Sequence, residues 1–354
     1  MKIIDAHVHI CEHINGWGSR GELRGLGKGK AIYADGKEFQ LFPEYMGDYG
    51  VCPEKLLEIM DNHNIEKAVI LQGNYLGFQN LYAYETMKKY PDRFIAASTI
   101  DPFCQNRELI AKHFFEDLKF KIIKMEVSNT SGLMANHDII SLAGKKMQWI
   151  YELCRKYKLI CVIDIGRPEN GCYQIENLRK MIKKYSDVTF VVCHLCSHQE
   201  NQYEIFKHDI QSLKLPNCFF DLASVSNNTH EPYPFNNALN YIKLAIEIVG
   251  DDKLMWGSDM PTSLTKSSYD NFINYIMNSD IPLSSKQKIF YDNANKLYFK
   301  QYRLWKNPQP FFNYYIYTDL KLILTFLDGL MKASSHFDYL MHIVHKSQDQ
   351  LLYF

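Results

Sequence analysis

Eight short apolar runs recur along residues 1–258, and the stretches between most of them repeat their apolar residues at helical spacing. The runs fall at 1–10, 67–72, 93–100, 121–127, 159–165, 188–195, 218–223 and 253–258. Continuous apolar runs of this length suit strands buried on both faces, as in a parallel sheet covered by helices. Helices are predicted at 53–64, 80–90, 107–118, 142–157, 173–185, 204–213, 237–249, 269–277 and 285–299. In the first of these Pro53 suits an opening turn, and Leu56, Leu57, Ile59 and Met60 line one face. Alternation of this kind specifies a parallel α/β architecture, and eight is the strand count at which such a sheet closes on itself. The predicted fold is an α/β (β/α)8 TIM barrel over residues 1–300. An open doubly wound sheet competes with it, but the first strand-to-helix junction lacks a Gly-x-Gly-x-x-Gly phosphate loop. Gly25-Leu26-Gly27-Lys28-Gly29-Lys30 sits in mid-loop and reads as flexible chain.

Two segments stand outside the repeat. Residues 11–51 are Gly-rich, carry Arg20, Arg24, Lys28 and Lys30, and are predicted to form one long loop, of a length that is usually either functional or disordered. Arg20 and Arg24 are expected to fold over the barrel mouth and bind substrate. Residues 301–354 are aromatic and polar and are broken by Pro308 and Pro310. Helices are expected there near 317–331 and 337–345, forming an extension that packs on the barrel or mediates contacts in a homo-oligomer.

Charge narrows the ligand. Forty basic residues balance forty acidic ones, so no global field favours nucleic acid or an anionic membrane, and a small-molecule substrate is expected. Nine cysteines without a tight framework read as reduced thiols in a cytoplasmic protein. The N-terminus begins a strand at once, with no basic region and apolar core of a cleaved signal. The greasiest stretch, 314–331, is interrupted by Asp319, Lys321 and Asp328 and is too charged to span a bilayer.

In a barrel of this kind the reactive groups gather where the C-terminal ends of the strands converge. The first run ends with His7 and His9, which strand alternation places on one face, either as core histidines or as metal ligands. The fourth carries Lys124 and Glu126 on one face, and the fifth ends in Asp164-Ile165-Gly166-Arg167. His194 lies near the end of the sixth, Asp221 lies within the seventh, and Asp259 follows the eighth. Burying so many charges without partners costs several kcal/mol per ion, and a divalent cation offsets much of that. Asp221, nearer mid-strand, reads as a hydrogen-bonded core acid. The lone pair Cys193 and Cys196 reads as structural rather than redox-active or zinc-binding. His13, His198 and His230 lie in loops near the mouth and read as solvated.

Four motifs carry a resemblance. Asp5-Ala6-His7-Val8-His9, Val191-Val192-Cys193-His194-Leu195, Trp256-Gly257-Ser258-Asp259-Met260-Pro261 and Asn293-Ala294-Asn295-Lys296-Leu297-Tyr298 resemble the amidohydrolase superfamily. The nearest branch is the amidohydrolase 2 type, which contains hydrolases, lactonases and non-oxidative decarboxylases. The resemblance covers about residues 1–300. It implies that His7 and His9 bind a divalent metal, that Asp259 both binds it and moves protons, and that His194 orients or polarises the substrate. This chain has Asp164 where the family usually has a fifth-strand histidine, so Asp164 or Glu126 is expected to complete the ligand set. Such an oxygen-rich site leaves manganese or iron open beside zinc, the first expectation.

The expected function is hydrolysis of a C–O or C–N bond (ester, lactone or amide) in a small carboxylated substrate through metal-activated water. Arg167, just beyond the fifth-strand acid, is placed to bind the substrate carboxylate through its planar fork. A non-oxidative decarboxylase of an aromatic or unsaturated acid is the alternative, and a metal-poor barrel without catalysis is a third reading.

Overall fold

In the computed structural model, which describes residues 1–137 and 140–300, the chain starts with β1 (Ile3–Val8). It then makes an antiparallel meander of β2 (Asn15–Gly18), β3 (Gly21–Gly27), β4 (Lys30–Tyr33) and β5 (Glu38–Gln40). Seven further strands follow: β6 (Ile65–Ile70), β7 (Phe94–Ala96), β8 (Ile122–Glu126), β9 (Ile160–Asp164), β10 (Thr189–Val192), β11 (Cys218–Asp221) and β12 (Leu254–Met255). With β1 these make the eight predicted strands, paired in parallel as β1-β6-β7 and as β8-β9-β10-β11-β12.

Parallel bridges join the two sheets at both seams. Ser98 bridges Ile123 beyond β7, and Val8 bridges Met260 beyond β12. At the second seam Ala6 N donates to Trp256 O at 3.0 Å, Asp259 N to His7 O at 2.9 Å and His9 N to Met260 O at 2.8 Å. The protein is a TIM barrel.

The covering helices are α1 (Pro53–Asn62), α2 (Asn80–Lys89), α3 (Arg107–Lys112), α4 (Lys145–Tyr157), α5 (Ile175–Lys184), α6 (Tyr203–Ser212), α7 (Val225–Asn228), α8 (Asn236–Val249), α9 (Tyr269–Met277) and α10 (Leu283–Gln287). Apolar side chains fall into two layers. Ile4, Ala6, Val69, Ile95, Ile122, Val162, Val191 and Met255 fill the barrel, with Ala294, Leu297 and Tyr298 packed against them. The larger layer lies between strands and helices, where Leu56, Met147, Leu178, Phe206 and Ile242 are buried.

The long loop expected at 11–51 is instead the meander. Its glycines serve turns: Lys28 (φ 53°) and Gly29 (φ 69°) form a two-residue hairpin between the paired Gly27 and Lys30, with both central residues left-handed as such a turn requires. The meander is docked on the loop after β6, where Trp17 N donates to Asn74 O at 3.2 Å. A Cβ on Gly16 would lie 1.7 Å from Tyr75 O, so only glycine allows this approach.

All nine cysteines are free thiols. No described helix is long and apolar enough to cross a membrane. The helices expected near 317–331 and 337–345 lie outside the described residues.

Candidate metal centre

The site begins with an irregularity in β1. Ile4 and Ala6 face the barrel interior, so strict alternation would turn His7 outward. The β1–β6 register shifts between Asp5 and Val8, and His7 also points in. Asp5 supports this bulge from the outer side: its Oδ1 accepts His7 N at 3.2 Å and Ser258 N at 2.9 Å, and its Oδ2 accepts the Tyr269 hydroxyl at 2.7 Å. Gly257 leaves room for it, since a Cβ there would lie 2.8 Å from His7 Cβ.

His7 is completely buried and is held at both nitrogens. Nδ1 donates to Asp221 Oδ2 at 3.1 Å, which leaves a lone pair on Nε2 directed into the mouth. Lys124 Nζ lies 3.2 Å from that atom. Burial, reinforced by the Lys124 charge, pushes His7 down to about 4 and keeps it neutral. His9 Nε2 lies 3.0 Å from Asp259 Oδ1, and His7 Nε2 lies 3.6 Å from the same oxygen. Ser224 donates to the other Asp259 oxygen. Burial raises Asp259, but the imidazoles of His194, His9 and His7 outweigh it and hold the carboxyl well below its ordinary range.

His7, His9 and Asp259 offer ligand atoms that all lie within 4.8 Å of one another. Bonds of about 2.0–2.2 Å to one ion place neighbouring ligand atoms roughly 3.0–3.6 Å apart, and the two measured separations to Asp259 fall in that range. The donor set therefore fits a divalent cation once the Lys124 ammonium gives up the His7 Nε2 lone pair. A second group, His7, His194 and Asp221, meets the same distance criterion. In it Asp221 acts as the hydrogen-bonded core acid expected from the sequence, orienting His7 through Nδ1 and accepting His194 N at 2.9 Å.

His194 closes the wall opposite β1, its ring stacked on His7 at 4.8 Å between centroids. Nδ1 donates to Ala223 O at 2.9 Å, and Nε2 lies 3.6 Å from Asp164 Oδ2. Burial lowers this imidazole, but Asp259, Asp164 and Asp221 overcome that and raise it. The backbone here is unusual: His194, Leu195, Cys196 and Ser197 are all left-handed, with φ of 57°, 49°, 65° and 55°. A left-handed turn of L-residues costs roughly 1–2 kcal/mol per residue, so surrounding contacts must enforce it.

The remaining expected site residues are placed differently. Glu126 does not join the three-residue group: its Oε2 accepts Asn74 N at 3.0 Å and Tyr75 N at 3.4 Å, and it lies so close to the loop that a Cβ on Gly73 would sit 2.0 Å away. Burial, with Asp164 beside it, raises this carboxyl. Asp164 faces His194 and accepts Gly166 N at 2.9 Å. Arg167 is half-buried at the end of β9, and among the described residues its guanidinium makes no ion pair or hydrogen bond. Arg20 pairs with Asp35 at 2.6 Å, and Arg24 donates to Leu23 O at 2.8 Å and Gly16 O at 3.3 Å, so both guanidinium groups are engaged within the meander region. His198, expected to be solvated, is buried against Asp209. Lys124 was visible as a polar strand residue, but its contact with His7 depends on two strands meeting across the barrel.

Similarity to known proteins bears on the fold and the family. No curated protein matches in sequence. A probable 2-pyrone-4,6-dicarboxylic acid hydrolase from Acinetobacter baumannii with citric acid bound aligns with a TM-score of 0.62 at 14% identity, over 84% of this chain and 99% of that one. A zinc-bound amidohydrolase from Burkholderia multivorans aligns with a TM-score of 0.61 at 12% identity, over 84% and 98%. A manganese-bound 5-carboxyvanillate decarboxylase from Novosphingobium aromaticivorans aligns with a TM-score of 0.52 at 17% identity, over 68% and 78%. These likenesses show a shared fold. The amidohydrolase family itself matches residues 4–300, and the chain belongs to that family of enzymes, whose members typically depend on a divalent metal.

Proposed function

We propose that the chain is a divalent-metal-dependent hydrolase cleaving an ester, lactone or amide of a small carboxylated substrate. The convergence of His7, His9 and Asp259 at the barrel mouth carries this reading. When bound, a divalent ion supplies Lewis acidity and makes water ionisable near neutral pH. Asp259, kept ionised by the facing imidazoles, accepts the proton of the attacking water. His194, whose hold on a proton is strengthened by Asp259, Asp164 and Asp221, donates from Nε2 in its protonated form to the carbonyl oxygen as negative charge develops there. Asp221 and Ala223 O keep the two rings oriented. Arg167, half-buried and without a partner among the described residues, takes the substrate carboxylate through its planar fork.

The raised His194 also favours a second reading. An imidazole at the mouth with its proton affinity raised by carboxylates suits delivery of a proton to carbon as carbon dioxide leaves, the step a non-oxidative decarboxylase requires. A panel of lactones, esters, amides and aromatic carboxylates, offered to the zinc- and manganese-loaded protein, separates the two. Acid release without carbon dioxide is the expected result, and evolved carbon dioxide would move the assignment to the second reading. Asp259→Asn should lower turnover at least about a hundredfold; undiminished turnover would remove Asp259 from proton transfer.

A further inference from the structure

We infer that Asp209, His198 and Tyr173 form a buried buttress that holds the left-handed turn His194–Ser197 and thereby positions the His194 ring. This rests on the reading of His194 as a catalytic group, but its test does not depend on turnover.

The upstream end of the turn is fixed inside the mouth, where His194 N meets Asp221 and the ring meets Ala223 O. Those bonds orient the ring only while the backbone stays left-handed, and none of the four residues is glycine. The downstream end needs its own restraint, and the structure places a buried polar group there. His198 is 4% exposed, with its ring edge-on to Phe206 at 5.3 Å and to Tyr173 at 6.3 Å. Its Nδ1 lies 3.4 Å from Leu195 O, a carbonyl within the turn, and its Nε2 lies 3.1 Å from Asp209 Oδ2.

Asp209, on α6 and 2% exposed, collects three donors. The Tyr173 hydroxyl reaches Oδ2 at 2.6 Å beside His198, and His208 Nδ1 reaches Oδ1 at 3.0 Å. A buried carboxylate with this many donors is a rigid anchor, because losing one leaves a buried acceptor short of a hydrogen bond. Cys196, completely buried within the turn, packs in the same cluster near Tyr173 and Asp209. The chain of contacts thus runs from α6 through Asp209 and His198 to the turn that carries His194. Asp209, His198 and Tyr173 are positioning residues: none of them contacts His7, His9 or Asp259.

The test uses the full chain labelled with 15N-histidine, with the His194 ring signals assigned by their loss in His194→Gln. The parent should show the pattern of a ring hydrogen-bonded at Nδ1. Asp209→Asn and His198→Phe should shift or broaden that signal while retaining bound zinc. Where turnover is measurable, kcat should fall at least about tenfold, the scale of a displaced catalytic group, with KM little changed. His198→Gln, which keeps a donor toward Asp209, should restore much of the parent pattern. Should Asp209→Asn fail to fold, Tyr173→Phe removes a single donor and should give a smaller shift of the same kind. Ser285→Ala, which removes a hydrogen bond to Asp251, is the control for general loosening. Folded buttress variants with parent-like His194 signals would overturn the inference, and so would an equal change in Ser285→Ala.

Discussion

Asp5 and His7 sit two residues apart on β1, and their surroundings move their titrations in opposite directions. Burial raises Asp5 from 3.8 to about 6 despite hydrogen bonds from Ser258 and Tyr269, while burial and Lys124 lower His7 from 6.5 to about 4. In metal-free protein the folded Asp5 keeps a proton that the unfolded chain has already lost. Its contribution to stability is complete below 3.8 and disappears as pH rises through about 6. His7 contributes in the other sense, fully above 6.5 and not at all once pH falls through about 4. Each shift corresponds to on the order of 3 kcal/mol, so the two slopes oppose each other across this window. Asp5→Asn removes one of them. The stability of the parent relative to Asp5→Asn should fall by on the order of 3 kcal/mol between pH 4 and pH 7 in urea titrations of the metal-free proteins, and a pH-independent gap would contradict this account. At this scale His7, His9, His194 and Asp259 were legible because each is a polar residue ending an apolar run. The partners of Glu126 and Lys124 were not, because the loop after β6 and the opposite barrel wall supply them.

Two elements depend on glycines whose purpose the sequence hides. Gly257 lies against the β1 bulge, and Gly257→Ala would drive a Cβ to 2.8 Å from His7 Cβ. The expected cost is about 1–3 kcal/mol, with weakened zinc binding, checked by thermal melting and metal titration of the same sample. Gly16→Ala would meet the Tyr75 carbonyl and should lift β2 from the barrel. The Trp17 and Ser19 amides should then exchange faster, with barrel amides such as Lys124 N unchanged. Uniformly protected amides would contradict the docking described. The barrel strands were legible because burial on both faces leaves continuous apolar runs. The meander was missed because a left-handed lysine followed by glycine at a hairpin turn has the same composition as flexible chain. The β1 bulge has no sequence signature either: alternation alone puts His7 and His9 on one face, but that this face is the barrel interior, shared with Ile4 and Ala6, depends on the register shift.

Across the whole molecule, His9 and Asp259 are 250 residues apart and meet at the seam between β12 and β1. The proposed ion would therefore tie the first strand to the end of the last one, where the ring is closed by the Val8–Met260 bridge and backbone bonds. Divalent metal at about a hundred times its dissociation constant should stabilise the fold by about 2.7 kcal/mol, and a chelator should reverse this. The amides of β1 and of residues 254–260 should show the largest change in exchange. The strand count and its alternation with helices made the barrel legible. The closure that assembles the centre could only be read once the seams were in view.

The central claim is that His7, His9 and Asp259 hold a divalent ion, and elemental analysis of the purified chain beside His9→Ala tests it most directly. The parent should carry zinc, manganese or iron at about one ion per chain, or take it up on addition. A folded His9→Ala variant should carry almost none. Equal metal content in the two proteins, or a parent that neither contains nor binds any of these ions, would contradict it.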